Sequence, residues 1–197
     1  MANMAAQIQR KPQYSMESQK FTLWVFLVTV TMLFAAFTSA MIVGREDAIA
    51  TGKWQFYDIP FVFTISTIII VMSSVSMQWA YITAKRNDIE NNRRALWITL
   101  LLGLGFVATQ IIGYKTLIAN EIFLAGNNRG ASFFYVISGV HLLHIIAGVF
   151  ILIATIFSAY KYRVHSKNLL RINLCTTYWH FIGVLWVYLF ALLSMFR

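Results

Sequence analysis

One stretch of the sequence decides the fold: residues 131–160 read ASFFYVISGVHLLHIIAGVFILIATIFSAY and contain no Asp, Glu, Lys or Arg. About 20 consecutive apolar residues in a helix cross the hydrocarbon core of a bilayer, and this run exceeds that length. A membrane strand needs only about half as many residues and would alternate apolar with polar positions. The run therefore predicts a transmembrane helix.

Similar runs occur throughout the chain. The predicted spans are residues 21–43, 59–84, 95–119, 131–160 and 174–196. Because lipid offers the backbone no hydrogen-bond partner, each span must be helical. We therefore predict an all-α membrane protein with a bundle of five transmembrane helices, formed as a single domain over residues 1–197 with a cytoplasmic tail at residues 1–20.

The composition supports a membrane protein, since 59% of the residues are hydrophobic and only 12% are charged. The net charge of +9 does not indicate a nucleic-acid partner, because the cations fall between apolar spans rather than on one surface. A single cysteine, Cys175, excludes an internal disulfide framework and a multi-cysteine zinc or iron–sulfur site.

The distribution of Lys and Arg predicts the orientation in the membrane. Eleven of the sixteen lie in the N-terminal tail and in the second and fourth connections, and five lie on the opposite side. Cytoplasmic loops retain Lys and Arg, so the N-terminus is predicted inside and the C-terminus outside.

No carboxylate falls within a predicted span. The acids are Glu17, Glu46, Asp47, Asp58, Asp88, Glu90 and Glu121. Pumps and proton-coupled transporters keep Asp or Glu at membrane depth to carry ions, so a self-contained transporter is disfavoured. We predict no catalytic or metal-ligating residue on this chain.

Histidine is the remaining candidate for chemistry within the spans, at His141, His144 and His180. Two histidines that ligate one haem must lie at nearly equal depth on facing helices. At a rise of 1.5 Å per residue, His144 and His180 differ in predicted depth by roughly 10 Å. The spacing is therefore poor for a stand-alone haem b cytochrome, which stays open as an alternative.

Two further patterns predict packing and anchoring. The spacing of Ser138, His141, Ile145 and Gly148 places them on one stripe, with His144 beside it, that we expect to face another helix. Four tryptophans lie near predicted span ends, where interfacial anchors occur. They are Trp24, Trp54, Trp97 and Trp179.

The last two spans carry a series of motifs. Residues 133–134 read FF, residues 138–148 read SGVHLLHIIAG, and residues 178–181 read YWHF, followed by Trp186. This order and spacing resembles subunit III of the haem–copper oxidases, where FF, TGxHxxHxxxG and YWHFxxxxW occur on the last two helices. The family-motif residues, to which we assign structural roles, are Ser138, Gly139, His141, His144, Gly148, Tyr178, Trp179, His180, Phe181 and Trp186.

Earlier segments match this family less closely. They are residues 24–34, residues 73–80, and Gln110 with Tyr114. The resemblance extends over about residues 21–196 and fits the five-helix bacterial form, which implies a multi-pass protein of the bacterial inner (plasma) membrane. Three acids of the family pattern are absent, and their positions hold Val30, Gly113 and Gly183. The first of these acids has been linked in the family to proton uptake, so that role is in doubt here.

The resemblance implies a subunit without its own haem or copper, which belong to partner subunits. Such a chain would pack against oxidase subunit I and would hold phospholipid. Its partners would include oxidase subunits I and II and further respiratory-complex subunits. An accessory protein of nitric oxide reductase is an alternative within the same family. Candidate lipid-binding residues are Trp79, Lys161, Arg163, Lys167, Arg171 and His180. The basic residues among them would attract anionic head groups, or alternatively only set the topology.

Overall fold

A computed structural model describes residues 2–54, 58–124, 128–161 and 169–196, with side chains from residue 17 onward. The described residues form five α-helices and no strand, and all five helices are long and apolar enough to cross a membrane. The predicted fold class, a five-helix transmembrane bundle, is confirmed. The helices are α1 (Ala2–Ala50), α2 (Val62–Lys85), α3 (Ile89–Ala119), α4 (Arg129–Tyr160) and α5 (Leu170–Met195).

The first helix is much longer than its predicted span. It has 49 residues, and at a rise of 1.5 Å per residue it extends about 74 Å. The hydrocarbon core of a bilayer is roughly 30 Å thick, so α1 must continue into water or the head-group region. Hydropathy detects only the apolar middle of this helix, because the helical backbone does not stop where the polar residues begin.

A tight connection joins α2 to α3. The carboxylate of Asp88 caps α3, accepting hydrogen bonds from the side-chain amide of Asn91 at 2.6 Å and from its backbone N–H at 3.2 Å. These hydrogen bonds lower the pKa of Asp88. Asn87 adopts a left-handed conformation with φ of 60°, which reverses the chain within a few residues. The turn sets α2 and α3 antiparallel.

The helices form a ring of four with one helix outside it. Within the described part of the chain, α2 contacts α3 and α5, and α4 contacts the same two helices. The backbone of α1 lies against α4 and α5 and does not approach α2 or α3. We call the end where α1, α3 and α5 finish the upper end, and the end where α2 and α4 finish the lower end.

Large aromatic side chains fill the centre of the ring. Trp179 and Trp186 are fully buried, and each donates a hydrogen bond to α2, from Trp179 Nε1 to Ser73 Oγ and from Trp186 Nε1 to Thr67 Oγ1, both at 3.0 Å. The prediction that Trp179 is an interfacial anchor is therefore wrong. Trp179 lies near a predicted span end, but its side chain points into the bundle.

A glycine on α3 makes room for the indole of Trp179. A Cβ atom added at Gly103 would lie 2.9 Å from Trp179 Cη2, closer than carbon atoms pack. By contrast, a Cβ at Gly105, on the same helix, would meet only the side chain of Ile69 at 3.9 Å. Gly103 therefore lets α5 place its largest side chain against α3.

We expect Gly103→Ala to destabilise the bundle and Gly105→Ala to leave it unchanged or slightly more stable. The Gly103 variant forces the buried indole to shift, and such overpacking costs about 1–3 kcal/mol. Replacing an unconstrained helical glycine by alanine gains up to about 1 kcal/mol. Thermal unfolding in detergent, followed by circular dichroism, compares the two. Equal melting temperatures for both variants would contradict the packing described for Trp179.

Candidate functional site

The motif residues of α4 and α5 lie along the contact between these two antiparallel helices. The hydroxyl group of Tyr178 donates to the backbone carbonyl of His144 at 2.9 Å. A Cβ atom at Gly148 would lie 3.0 Å from Tyr178 Cε1, so this glycine permits the close approach. The motif residues therefore make α4 and α5 a closely packed pair of helices. The inner side of this pair faces the centre of the four-helix ring.

His141 lies at the centre of the bundle with no exposed surface. Its imidazole stacks on the indole of Trp186, with ring centroids 5.1 Å apart and planes inclined by 29°. The rings of Phe34 and Phe106 lie edge-on, with centroids at 6.1 and 6.3 Å. Neither ring nitrogen has a hydrogen-bond partner in the described residues. Aromatic side chains thus enclose the group that sequence analysis marked for chemistry.

Gln110 on α3 lies level with His141. The antiparallel register of α3 and α4 follows from the hydrogen bond between the hydroxyl groups of Tyr114 and Ser138 (3.0 Å), which lie one turn away. The side-chain amide of Gln110 donates to Ser66 Oγ at 2.8 Å, but its oxygen is buried without a partner in the described residues. Two buried polar groups with incomplete hydrogen bonding, His141 and Gln110, therefore lie at a similar depth in the bundle.

The three histidines of the spans do not converge. The side chain of His144 packs against Phe34 and Phe26 of α1, and its Nδ1 lies 2.8 Å from the carbonyl oxygen of Val140. His180 faces α2, where its Nε2 lies 3.1 Å from Gln78 Oε1. Within the described ranges, no three His, Cys, Asp or Glu side chains could share a metal ion. The geometry disfavours the haem b alternative, because the imidazoles face different helices.

The positions of the three absent family acids are packed. Val30 is buried against the core. A Cβ atom at Gly113 would lie 2.6 Å from Cζ of Phe63, and one at Gly183 would lie 2.9 Å from Ser74 Oγ. Neighbouring side chains occupy the volume that a longer side chain would need at both glycines. The packing of the interior therefore suits the valine and the two glycines at these positions, and not the family acids.

The candidate lipid-binding residues occupy different surroundings. Trp79 and Lys161 are exposed, and His180 is half-buried. The guanidinium of Arg171 donates to Ser158 Oγ at 2.6 Å, which ties the start of α5 to the end of α4. Two of the predicted residues, Arg163 and Lys167, lie outside the described residues.

Two grooves run between α1 and α5, and sequence analysis did not predict them. The lower groove has a volume of about 450 Å³ and is lined by Thr22 and Phe26 of α1 and by Leu174 and Tyr178 of α5. The upper groove has a volume of about 320 Å³. It is lined by Thr31, Phe34, Ala35, Phe181, Val184, Leu185 and Tyr188. Both grooves exist because α1 packs less closely than the other helices.

Comparison with known proteins identifies the family that shares this architecture. The family model described as cytochrome c oxidase subunit III matches residues 13–196. The chain is 29% identical over 170 residues to cytochrome c oxidase subunit 3 of Corynebacterium diphtheriae, covering 84% of this chain and 82% of the relative. It is 28% identical over 178 residues to cytochrome c oxidase subunit 3 of Thermostichus vulcanus, covering 87% and 84%.

A quinol oxidase subunit is a relative as well. The chain is 27% identical over 179 residues to cytochrome bo(3) ubiquinol oxidase subunit 3 of Pseudomonas aeruginosa, covering 89% of this chain and 83% of the relative. The family match includes α1 from residue 13 onward, the four other helices, and every motif residue of α4 and α5. The chain therefore belongs to the cytochrome c oxidase subunit III family.

Proposed function

We propose that this multi-pass membrane protein is a non-catalytic subunit of a respiratory haem–copper oxidase in the bacterial plasma membrane. It would pack against subunits I and II and bind phospholipid, while oxygen reduction and proton pumping occur in the partner chains. The observation that carries the proposal is the sealed aromatic interior of a chain that belongs to the oxidase family.

The interior supports a role without chemistry of its own. A redox or proton-transfer site needs a group that reaches a cofactor, a substrate or water. Here the imidazole of His141 is enclosed by aromatic rings, and the three positions of family acids hold residues without a titratable group. In the proposed complex, subunits I and II carry the haem and copper.

An outward-facing surface of α4 supports packing against a partner. A Cβ atom at Gly139 would meet nothing within 4 Å, so the backbone is open to close approach there. Val136 and Leu143 flank this position with 41% and 65% exposure. Small residues in membrane helices allow a second helix to come near, and we assign this surface to subunit I.

The grooves between α1 and α5 support phospholipid binding. Their walls are almost entirely apolar, which suits acyl chains. The lower groove is lined by Leu174, about one helical turn after Arg171, and Lys161 lies at the same end of the bundle. The charges of Arg171 and Lys161 would attract an anionic head group if this end faces the cytoplasm. The predicted orientation, with the N-terminus inside, places the lower end there.

The oxidase is preferred to nitric oxide reductase because the relatives described above are named as oxidase subunits. They include a cytochrome c oxidase subunit and a ubiquinol oxidase subunit, so the proposal includes both kinds of electron donor.

Affinity purification of the tagged chain from its native membrane tests the oxidase assignment. We expect a haem-containing subunit I and a copper-containing subunit II to co-purify at near one to one, as measured by mass spectrometry and the pyridine haemochrome spectrum. A chain that purifies alone, or with a nitric oxide reductase, would count against the proposal.

Filling one groove tests phospholipid binding. Ala35 lines the upper groove, whereas its neighbour Ala36 is exposed and does not line it. We expect Ala35→Trp to remove one retained phospholipid, because the indole occupies the acyl-chain volume, and Ala36→Trp to retain it. Native mass spectrometry counts the lipids on each variant. The same lipid count in both would argue against occupancy of this groove.

A further inference from the structure

Two buried hydrogen-bond donors at the upper end have no acceptor within the described part of the chain. Arg45 Nε and Trp54 Nε1 are both inaccessible to solvent, and neither is hydrogen-bonded to any residue that the structure describes. The side chain of Trp54 is among the core residues, with 7% of its surface exposed. Most buried donors in proteins are paired, so two unpaired donors in one place indicate a missing acceptor.

The two donors belong to one cluster. The guanidinium carbon of Arg45 lies 5.9 Å from the centroid of the Trp54 ring and 5.4 Å from the centroid of the Phe196 ring. These rings hold the guanidinium by cation–π contacts but supply no hydrogen-bond acceptor. The cation is therefore held in place, and its Nε–H remains available for a hydrogen bond.

The beginning of α4 lies against the same indole. A Cβ atom at Gly130 would be 3.2 Å from Trp54 Cε2, the carbon bonded to Nε1, so the indole packs against the first turn of α4. The backbone N–H of Arg129 donates to the carbonyl of Lys53 at 2.9 Å, which fixes the chain after α1 at this point. The positive end of the α4 dipole therefore adjoins the two donors.

The charges around the cluster favour an anion. Arg45, Lys53 and Arg129 bring three positive charges, and Glu46 and Asp47 bring two negative charges. The carboxylate of Asp47 is held by Arg129 at 2.7 Å, and Glu46 is exposed. Neither carboxylate forms a salt bridge with Arg45, so no acid among the described residues neutralises its charge.

We infer that Arg45 and Trp54, beside the first turn of α4, bind the phosphate group of a phospholipid. A phosphate offers several oxygens to a guanidinium and to an indole N–H, and it is stabilised at a helix N-terminus. The site lies at the opposite end of the bundle from Lys161 and Arg171, so it is additional to the lipid binding proposed above.

The neighbouring surface favours a lipid over a free phosphate or a protein carboxylate. Ile42 lies about one turn before Arg45, on the same side of α1, and is 45% exposed. It extends an apolar surface from the cluster along α1 towards the membrane interior, as acyl chains below a head group require. Trp54 follows the end of α1, and tryptophans at the ends of membrane spans commonly meet head groups.

The full chain, with the partners that co-purify with it, can be tested in nanodiscs of equal parts phosphatidylglycerol and phosphatidylcholine. Trp54→Phe removes the N–H donor and keeps an aromatic ring, and Arg45→Gln removes the charge. Arg86→Gln, which changes an exposed arginine at the lower end, is the matched control. Native mass spectrometry counts retained phosphatidylglycerol, and the haem content of the same sample reports separately on the oxidase assignment.

We expect each cluster variant to weaken one lipid site about tenfold, the usual effect of losing one charge-assisted hydrogen bond, while Arg86→Gln retains every lipid. Unchanged lipid counts in both variants would overturn the inference. It would also fail if inorganic phosphate alone displaced the lipid, or if a partner subunit dissociated with no lipid lost. If Trp54→Phe does not assemble, Arg45→Gln alone decides, because its side chain is partly at the surface.

Discussion

The contact of the Trp179 indole with α3 and α2 is the interaction on which the bundle depends. Its ring fills the space left by Gly103, and its N–H binds Ser73, so one side chain of α5 joins two further helices. In lipid there is no hydrophobic gain from joining apolar helices, so close packing and such hydrogen bonds must hold them together. The motif tryptophans therefore determine how the helices are arranged.

Much of the fold can be predicted from the sequence, because span length and apolar composition are local properties. The stripe of Ser138, His141 and Gly148 is likewise readable from helical spacing, and all three residues are buried in the structure. The burial of Trp179 could not be predicted in this way, since it depends on Gly103, which is 76 residues away in the sequence. Pairings between distant helices leave no mark on local periodicity.

The candidate site, like the fold, can be predicted from the sequence only in part. The absence of the family acids at Gly113 and Gly183 is visible in the sequence, but the side chains that fill their places, Phe63 and Ser74, come from another helix. The unpaired donors of Arg45 and Trp54 result from a long-range arrangement of α1, α4 and α5 that no motif indicates. Packing encloses the polar groups of the interior, such as His141, and leaves two further unpaired donors at the upper end, which fits a subunit that supports chemistry elsewhere.

A reduced-minus-oxidised spectrum of the chain separated from its partners tests the central claim most directly, with circular dichroism confirming that it remains helical. Because Trp186, Phe34 and Phe106 enclose His141, and His180 faces a different helix, we expect no haem α-band even after incubation with haem b. A stoichiometric α-band that disappears in His141→Leu would contradict the account, since it would mean that the enclosed imidazole opens to bind a redox cofactor.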